Sequence, residues 1–140
     1  MKKIFLVDDD KFYINILEKK LKDIKEYSIE KFYTGQACID KLHEKPDIIF
    51  LDHILGDTTG LEVLKIIRST YPEVHVVLLS GQKEIKVAIK SFKFGATDYL
   101  FKGIDDNPTQ LAKIIKDCEN NKITSNGGGE NNNRNIWLYF

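Results

Sequence analysis

The sequence predicts an α/β domain over residues 1–120, in which five β-strands alternate with five α-helices in the order (βα)5. Two observations predict this fold. Short apolar or β-branched runs alternate with stretches whose apolar residues recur at helical spacing. The runs begin at residues 4, 28, 47, 74 and 98, so each step of 19 to 27 residues leaves room for one crossover helix. Such connections favour a parallel sheet covered by helices on both faces, a three-layer sandwich.

The five predicted strands share a high content of β-branched and aromatic residues. They are Ile4–Val7, Ser28–Phe32, Asp47–Leu51, Val74–Leu79 and Asp98–Phe101. The third and fourth runs are apolar without alternation, which is typical of strands buried on both faces. We therefore expect these two strands in the middle of the sheet.

Helical periodicity predicts an apolar face on several of the intervening segments. The first of these faces consists of Ile14, Leu17, Leu21 and Ile24; the next of Leu61, Leu64 and Ile67; and the following one of Ile85, Ala88, Ile89 and Phe92. The last helix is expected to open at Asn107 and Pro108, an N-cap residue followed by a favourable first-turn residue. Its apolar face is Leu111, Ile114, Ile115 and Cys118.

Composition excludes several classes of protein. The 140 residues carry 21 basic and 21 acidic side chains, a balance that argues against a dedicated nucleic-acid binder. Cys38 and Cys118 are the only cysteines and lie far apart in the sequence, so neither a disulfide scaffold nor a zinc cluster is indicated. The apolar run Ile4–Val7 is too short for a signal peptide or a membrane span. A cytoplasmic protein without a membrane partner is expected.

Residues 121–140 are predicted to form a flexible tail. The segment from Asn120 to Asn135 contains seven asparagines and a glycine triplet, and it has little that could form a core. The chain then ends in five apolar residues, Ile136–Phe140. Two interpretations stay open: this end docks on an apolar groove or sheet edge of its own or a neighbouring molecule, or it is a disordered end.

Polar side chains follow four of the five predicted strands. Three aspartates, residues 8–10, follow the first strand, Asp52 the third, Ser80 the fourth and Lys102 the fifth. The carboxyl ends of parallel strands meet at one rim of the sheet, where ligands bind in such folds. Carboxylates that converge there need a hard cation, and Mg²⁺ prefers carboxylate, water and phosphate oxygens. Each residue alone has an ordinary structural explanation as a helix cap, a turn or a solvated side chain, but the combination predicts a phosphate and magnesium site.

Four motifs resemble those of the receiver domains of bacterial two-component response regulators. They are Val7–Asp10, Pro46–Asp52, Leu78–Gly81 and Gly95–Lys102. The resemblance extends from residue 2 to about residue 120. It implies a flavodoxin-like fold with strand order 2-1-3-4-5. It also implies that the chain is a phosphoacceptor in a phosphorelay, not an enzyme that acts on other substrates.

The resemblance assigns a metal-assisted phosphorylation site to the rim. Asp52 would take the phosphoryl group from a sensor histidine kinase or a phosphotransfer protein, in the presence of Mg²⁺. Asp9 would ligate the ion directly, Asp8 would act nearby or through water, and the backbone carbonyl of Ile54 would complete the set. Gln82 and the side chain of Ile54 would flank the path of the water that hydrolyses the phosphoryl group, and so would set its lifetime.

The resemblance also implies a switch. Lys102 would pair with the phosphoryl group, Ser80 would move to hydrogen-bond it, and Tyr99 would turn inwards into the space that Ser80 leaves. The surface of the fourth helix, fifth strand and fifth helix would change as a result. The expected partners are a downstream effector or output domain and, as a further candidate, a second copy of the chain; this chain itself is not expected to bind nucleic acid.

Two positions depart from the family pattern. Gly103 follows Lys102 where the family usually has a proline with a cis peptide bond, which predicts a different local backbone and a less firmly placed lysine. Gly56 stands where the loop after the phosphoacceptor commonly carries a proline, which predicts a looser loop.

Two alternative functions stay open. A phosphatase of the haloacid-dehalogenase type would use a D-x-D-x-T motif, of which Asp8 and Asp10 are present, but Phe12 replaces the threonine. A binding module with the receiver fold but without phosphorylation is the second alternative, weakly favoured by Gly103.

Overall fold

The computed structural model describes residues 2–81 and 85–120. Its elements are β1 (Lys3–Val7), α1 (Lys11–Ile24), β2 (Ser28–Phe32), α2 (Gly35–Asp40), a 3-10 turn (Leu42–Glu44), β3 (Ile48–Asp52), α3 (Gly60–Thr70), β4 (His75–Ser80), α4 (Ile85–Lys93), β5 (Asp98–Phe101) and α5 (Pro108–Asn120). The five strands form one parallel sheet in the order β2-β1-β3-β4-β5. This confirms the predicted fold and strand order. The predicted tail, residues 121–140, lies outside the described residues.

The sheet separates two apolar cores. Helices α1 and α5 cover one face, and α2, α3 and α4 cover the other. Every residue of β3 and β4 is buried, as the two continuous apolar runs predicted, whereas β2 at the edge is only partly buried. No helix among the described residues is long and apolar enough to cross a membrane.

Strands β3 and β4 each begin and end one residue later than predicted. Asp52 pairs with Leu79 in the ladder, and Ser80 pairs with Phe101, so Asp52 and Ser80 are the last residues of their strands. Strand geometry therefore fixes the backbone of both residues. This matters for the site, because a side chain on a ladder residue is held more firmly than one on the loop that follows.

Side-chain caps set where four of the helices begin. Asp10 accepts a hydrogen bond from the backbone N–H of Tyr13 (3.0 Å), and Asn107 accepts one from Gln110 (2.9 Å). Thr34 caps α2 and Thr59 caps α3 in the same way. These contacts satisfy N–H groups that a helix leaves without an internal partner. The predicted start of α5 at Asn107 and Pro108 is confirmed.

The buried face of α4 largely agrees with the predicted one. Ala88 and Phe92 are buried and Ile89 is half-buried, whereas Ile85 is 49% exposed at the start of the helix. Ser91 is a buried residue that apolar periodicity did not predict, and its hydroxyl donates to the carbonyl of Ala88 (2.7 Å).

Candidate functional site

Three carboxylates meet at the carboxyl ends of β1 and β3, which are neighbours in the sheet. Asp8 and Asp52 are buried, and Asp9 is exposed. One oxygen atom from each carboxylate lies within 4.8 Å of the other two. The predicted rim therefore exists, and it brings the three predicted acidic residues together.

Lys102 reaches this cluster from the end of β5. Its Nζ lies 2.6 Å from Asp8 Oδ2 and 2.9 Å from Asp52 Oδ1, and its side chain is mostly buried. One ammonium group thus faces three carboxylates. The pocket keeps an excess of negative charge, which favours the binding of a cation.

Burial governs the electrostatics of the pocket. It raises the pKa of Asp52 from 3.8 to about 6, with Lys102 opposing and Asp8 adding to this rise. Burial likewise raises the pKa of Asp8, although Lys102 and a backbone N–H counteract it. For Lys102, burial acts against the charged form, but the ion pairs with the two aspartates raise its pKa overall. Carboxylates that hold their protons this readily are ones that a metal ion would stabilise in the charged form.

The three aspartates after β1 have different environments. Asp8 accepts a hydrogen bond from the backbone N–H of Asp10 (2.9 Å) at Oδ1 and the Lys102 ammonium at Oδ2. The exposed carboxylate of Asp9 belongs to the cluster. Asp10 caps α1, so it has the ordinary structural role that aspartates before a helix usually have.

The loop between β3 and α3 folds back on itself beside the pocket. An antiparallel bridge pairs Ile54 with Thr59, and its hydrogen bonds join residue 55 to 58 and residue 60 to 53. The backbone groups of Ile54 are therefore not used in these two bonds. Ile54 is 65% exposed, and its place beside the path of an attacking water stays a prediction.

This loop is tied down more firmly than Gly56 predicted. The two carboxylate oxygens of Asp57 accept hydrogen bonds from the backbone N–H groups of Gly35 (2.9 Å) and Gln36 (3.0 Å) at the start of α2. Both bonds lower the pKa of Asp57. The loop is thus fixed to a neighbouring helix, and the prediction of a loose loop is wrong.

Gly60 brings the start of α3 against the end of β3. A Cβ atom at this position would lie 2.4 Å from the carbonyl oxygen of Asp52, a distance that no side chain could keep. The absence of a side chain therefore allows the loop to close over the last residue of β3.

Ser80 and Tyr99 lie where the sequence predicted. Ser80 is the buried last residue of β4, and its backbone carbonyl accepts a hydrogen bond from the N–H of Lys102 (2.8 Å). The Tyr99 ring is fully buried and packs edge-on against Phe101. The structure therefore shows the inward position of Tyr99, while the outward position from which it would turn stays a prediction. Gln82 lies outside the described residues.

The backbone after Lys102 takes a path of its own. Gly103 has φ +79°, and no peptide bond among residues 2–81 and 85–120 is cis. Lys102 is nevertheless held between Asp8 and Asp52, with its Nζ 4.6 Å from the centre of the Tyr13 ring. The prediction of a different local backbone is confirmed, whereas a less firmly placed lysine than in the family stays a prediction.

Sequence reasoning missed two residues beside the site. Tyr13 donates a hydrogen bond from its hydroxyl to Asp106 (2.6 Å), and Asp106 accepts another from the backbone N–H of Gly103 (2.9 Å). The two side chains are 93 positions apart in the sequence, so no local pattern links them.

Comparison with known proteins agrees with this geometry. A family model described as the response regulator receiver domain matches residues 4–116. The photosynthetic apparatus regulatory protein RegA of Rhodobacter capsulatus is 32% identical over 115 residues, which cover 81% of this chain and 61% of RegA. The transcriptional regulatory protein ZraR of Klebsiella oxytoca is 30% identical over 109 residues, 77% of this chain and 24% of ZraR. The chain thus spans less than two thirds of either relative.

Solved structures show the same likeness. The response regulator DrrB of Thermotoga maritima, an OmpR/PhoB homologue, matches with a TM-score of 0.75 and 32% identity over 88% of this chain and 55% of DrrB. The BeF3-activated receiver domain of DrrB matches with a TM-score of 0.76 and 31% identity over 86% of this chain and 99% of that domain. With the family model covering most of its length, this chain belongs to the receiver domain family of the response regulators, the signalling proteins of two-component systems.

Proposed function

We propose that Asp52 accepts a phosphoryl group from a phosphohistidine on a sensor histidine kinase or a phosphotransfer protein. The observation that carries this proposal is the Lys102 ammonium, placed 2.6 Å from Asp8 and 2.9 Å from Asp52 beside the exposed Asp9. A carboxylate nucleophile, a cation for the incoming phosphoryl oxygens and further carboxylates for a metal ion thus lie together.

The residues present fit Mg²⁺. The donors are hard oxygen atoms from three carboxylates within one small cluster, which suits this ion. Asp9, Asp52 and the backbone carbonyl of Ile54 would hold it, and Asp8 would act through water because Lys102 and the N–H of Asp10 already engage its oxygens. When bound, the ion would supply charge neutralisation between these carboxylates and the phosphoryl oxygens.

In the transfer step, one oxygen of Asp52 attacks phosphorus. The new P–O bond forms while the P–N bond to the histidine breaks, and the electron pair of that bond stays on the imidazole nitrogen. The Lys102 ammonium pairs with one phosphoryl oxygen, and the Ser80 hydroxyl donates a hydrogen bond to another. The chain promotes only its own phosphorylation and dephosphorylation, so it acts as a signalling phosphoacceptor.

Phosphorylation would be read on the surface formed by α4, β5 and α5. The phosphoryl group carries a charge of about −1.5 to −2, which draws the Ser80 hydroxyl and Lys102 towards it. The hydrogen bond between the Lys102 N–H and the Ser80 carbonyl joins the ends of β4 and β5, so changes at the two residues are linked. The expected reader is an effector or output domain, or a second copy of the chain, in the cytoplasm; direct nucleic-acid binding by this chain is not part of the proposal.

Incubation with acetyl phosphate and Mg²⁺, followed by intact mass measurement and site mapping, tests the proposal. We expect one base-labile phosphoryl adduct on Asp52, absent when the metal is chelated and absent in Asp52→Asn. Asp57→Asn is the matched control, because it changes an aspartate of the same loop whose carboxylate holds the start of α2. An adduct on another residue, or one that is indifferent to chelation, would contradict the proposal.

A phosphomonoester assay, run beside this experiment, separates the two alternatives. Continuous release of phosphate from a phosphomonoester would favour a phosphatase of the haloacid-dehalogenase type, with Asp8 as its nucleophile. The structure gives Asp8 little freedom for this role, since both of its oxygens are engaged. Failure to label Asp52 in a folded, Mg²⁺-saturated protein would favour a binding module that is not phosphorylated.

A further inference from the structure

Four groups form a closed circuit around the end of β5. The Tyr13 hydroxyl donates to Asp106 Oδ2 (2.6 Å), and Asp106 Oδ1 accepts the backbone N–H of Gly103 (2.9 Å). Gly103 is bonded to Lys102, whose ammonium lies 4.6 Å from the centre of the Tyr13 ring. Tyr13 of α1 is therefore connected to the segment after β5 in two ways: its ring lies under the Lys102 ammonium, and its hydroxyl is linked through Asp106 to Gly103.

The Asp106 carboxylate of this circuit is protected from water. Asp106 is 2% exposed, and Lys20 of α1 lies 3.7 Å from Asp106 Oδ1. Burial acts against the charge of Asp106, but the hydrogen bonds from Tyr13 and Gly103 lower its pKa overall. Burial and the neighbouring Asp106 raise the pKa of Tyr13, so its hydroxyl keeps its proton and stays a donor. A charged acceptor and a neutral donor at this distance make a strong hydrogen bond.

Gly103 lies next to the lysine whose ammonium group these contacts hold. Its φ of +79° lies in a region that glycine enters easily, and glycine itself has more backbone freedom than any other residue. A lysine side chain has four rotatable bonds of its own, so the ammonium needs support to stay between Asp8 and Asp52. The Asp106 carboxylate fixes the N–H of Gly103, and the Tyr13 ring lies against the ammonium.

We propose that Tyr13 and Asp106 are positioning residues that hold the Lys102 ammonium at the phosphorylation site. Their effect on the reaction rests on the proposed function of Asp52, whereas their effect on the placement of Lys102 does not. Tyr13 and Asp106 act through Lys102 and contact neither the phosphoryl group nor the metal ion. A conformational restraint on one reacting group is enough to change a rate substantially.

The first test observes Lys102 directly, in the unphosphorylated protein. When a lysine side chain lies over an aromatic ring, the ring current shifts the resonances of its ε-methylene protons upfield. Tyr13→Leu removes the ring and defines the unshifted position. Tyr13→Phe keeps the ring but removes its tether to Asp106, so we expect its Lys102 resonances between those of Tyr13→Leu and the unaltered protein. Resonances in Tyr13→Phe identical to those of the unaltered protein would overturn the proposal.

Tyr33→Phe is the matched control. Tyr33 also lies under a lysine, with Lys11 Nζ 5.0 Å from its ring centre, so the control removes the same hydroxyl from the same kind of contact. It should leave the Lys102 resonances and the phosphorylation rate unchanged. An equal effect of Tyr33→Phe and Tyr13→Phe would mean that the response is general, and would overturn the proposal.

The second test separates positioning from mere stability. Tyr13→Phe should slow phosphorylation of Asp52 by acetyl phosphate about threefold to tenfold, the effect of losing one hydrogen bond that orders a reacting group. Its affinity for Mg²⁺, measured by calorimetric titration, should stay unchanged or rise, because a loosened Lys102 competes less for Asp8 and Asp52. Loss of both rate and metal affinity would indicate general damage to the pocket and would overturn the proposal.

Asp106→Ala provides an independent route to the same result. It should slow phosphorylation by a similar factor, and adding Tyr13→Phe to it should have little further effect, since both changes break one circuit. Fully additive effects of the two substitutions on the phosphorylation rate would show that Tyr13 and Asp106 act independently, and would overturn the proposal. If the unaltered protein is not phosphorylated on Asp52, the proposed function fails, but the Lys102 resonances still decide whether the two residues position the lysine.

Discussion

Replacing Asp52, the proposed phosphoacceptor, should stabilise the metal-free protein. Burial raises the pKa of Asp52 from 3.8 to about 6, even though Lys102 acts against the rise. A pKa difference of this size between the folded and unfolded states corresponds to about 2–3 kcal/mol. Asp52→Asn keeps the size of the side chain and one acceptor oxygen but removes its charge, so the variant should recover much of this free energy.

The pH dependence of this stability difference follows from the protonation state of Asp52 that the folded protein favours. Since the pKa of Asp52 is higher in the folded state, folding favours the protonated carboxyl group. The stabilisation that it supplies is complete below about pH 3.8 and is lost as the pH rises through about 6. Asp52→Asn should therefore be more stable than the unaltered protein at about pH 8, and the difference should shrink as the pH falls below about 6.

Equilibrium denaturation in urea, followed by circular dichroism in the presence of a chelator, measures this difference. Added Mg²⁺ should stabilise the unaltered protein more than the variant and so reduce the gap, because the ion binds the folded state through the carboxylate that the variant lacks. Asp23→Asn, which changes an exposed aspartate of α1, is the control and should alter the free energy of unfolding by less than about 0.5 kcal/mol. An Asp52→Asn variant that is no more stable at about pH 8, or whose advantage does not depend on pH, would refute the reasoning.

Three further predictions concern the loops around the site. Gly103→Ala should lower the free energy of unfolding by about 1–2 kcal/mol because φ is +79° there, whereas Gly81→Ala, where a Cβ atom also meets open space, should cost far less; denaturation in urea compares the two. Asp57→Ala should cost about 1 kcal/mol of stability by removing the acceptor for two N–H groups of α2, and Asp57→Asn, which keeps an acceptor oxygen, should cost less in the same assay. Phosphorylated Asp52 should persist for minutes or longer, since an exposed apolar Ile54 cannot orient a water molecule, and Ile54→Asn should accelerate the loss of phosphate measured by intact mass. Hydrolysis rates that stay the same in both Ile54→Asn and Gln82→Ala would show that these positions do not control access.

The sequence was sufficient to predict where the reactive groups meet. In a parallel sheet the carboxyl ends of the strands lie at one rim, and the strand ends could be inferred from apolar runs and their spacing, whereas the strand order came from the resemblance to receiver domains. Asp52, Ser80 and Lys102 could therefore be placed at one rim without any knowledge of side-chain contacts. Errors of one residue in the bounds of β3 and β4 did not change which residues share the rim, because the polar residue lies at the end of the strand in either case.

The sequence was not sufficient where the contacts are tertiary and polar. Tyr13 and Asp106 are brought together only by the packing of α1 beside the β5–α5 loop, and neither residue belongs to a local motif. The hydrogen bonds from the start of α2 to Asp57 could not be predicted for the same reason, since Asp57 lies in a loop far from α2 in the sequence. Apolar periodicity predicted the buried Ala88 and Phe92 of α4 but not Ser91, because a pattern of apolar residues does not indicate a buried serine that bonds to its own helix.

Lys102 connects the charge of the pocket to the surface that is expected to respond. Its ammonium is shared by Asp8 and Asp52, so any added charge on Asp52 would alter the balance between these two ion pairs. The backbone of Lys102 is fixed to Ser80 by a hydrogen bond and follows a strand whose four residues are all buried, so close packing opposes a displacement of the strand itself. The response is therefore expected in side chains, with Ser80 and Tyr99 as the residues next to the change. From the end of β4, that response would pass to α4, which begins only a few residues after Ser80 and already exposes Ile85 at its edge.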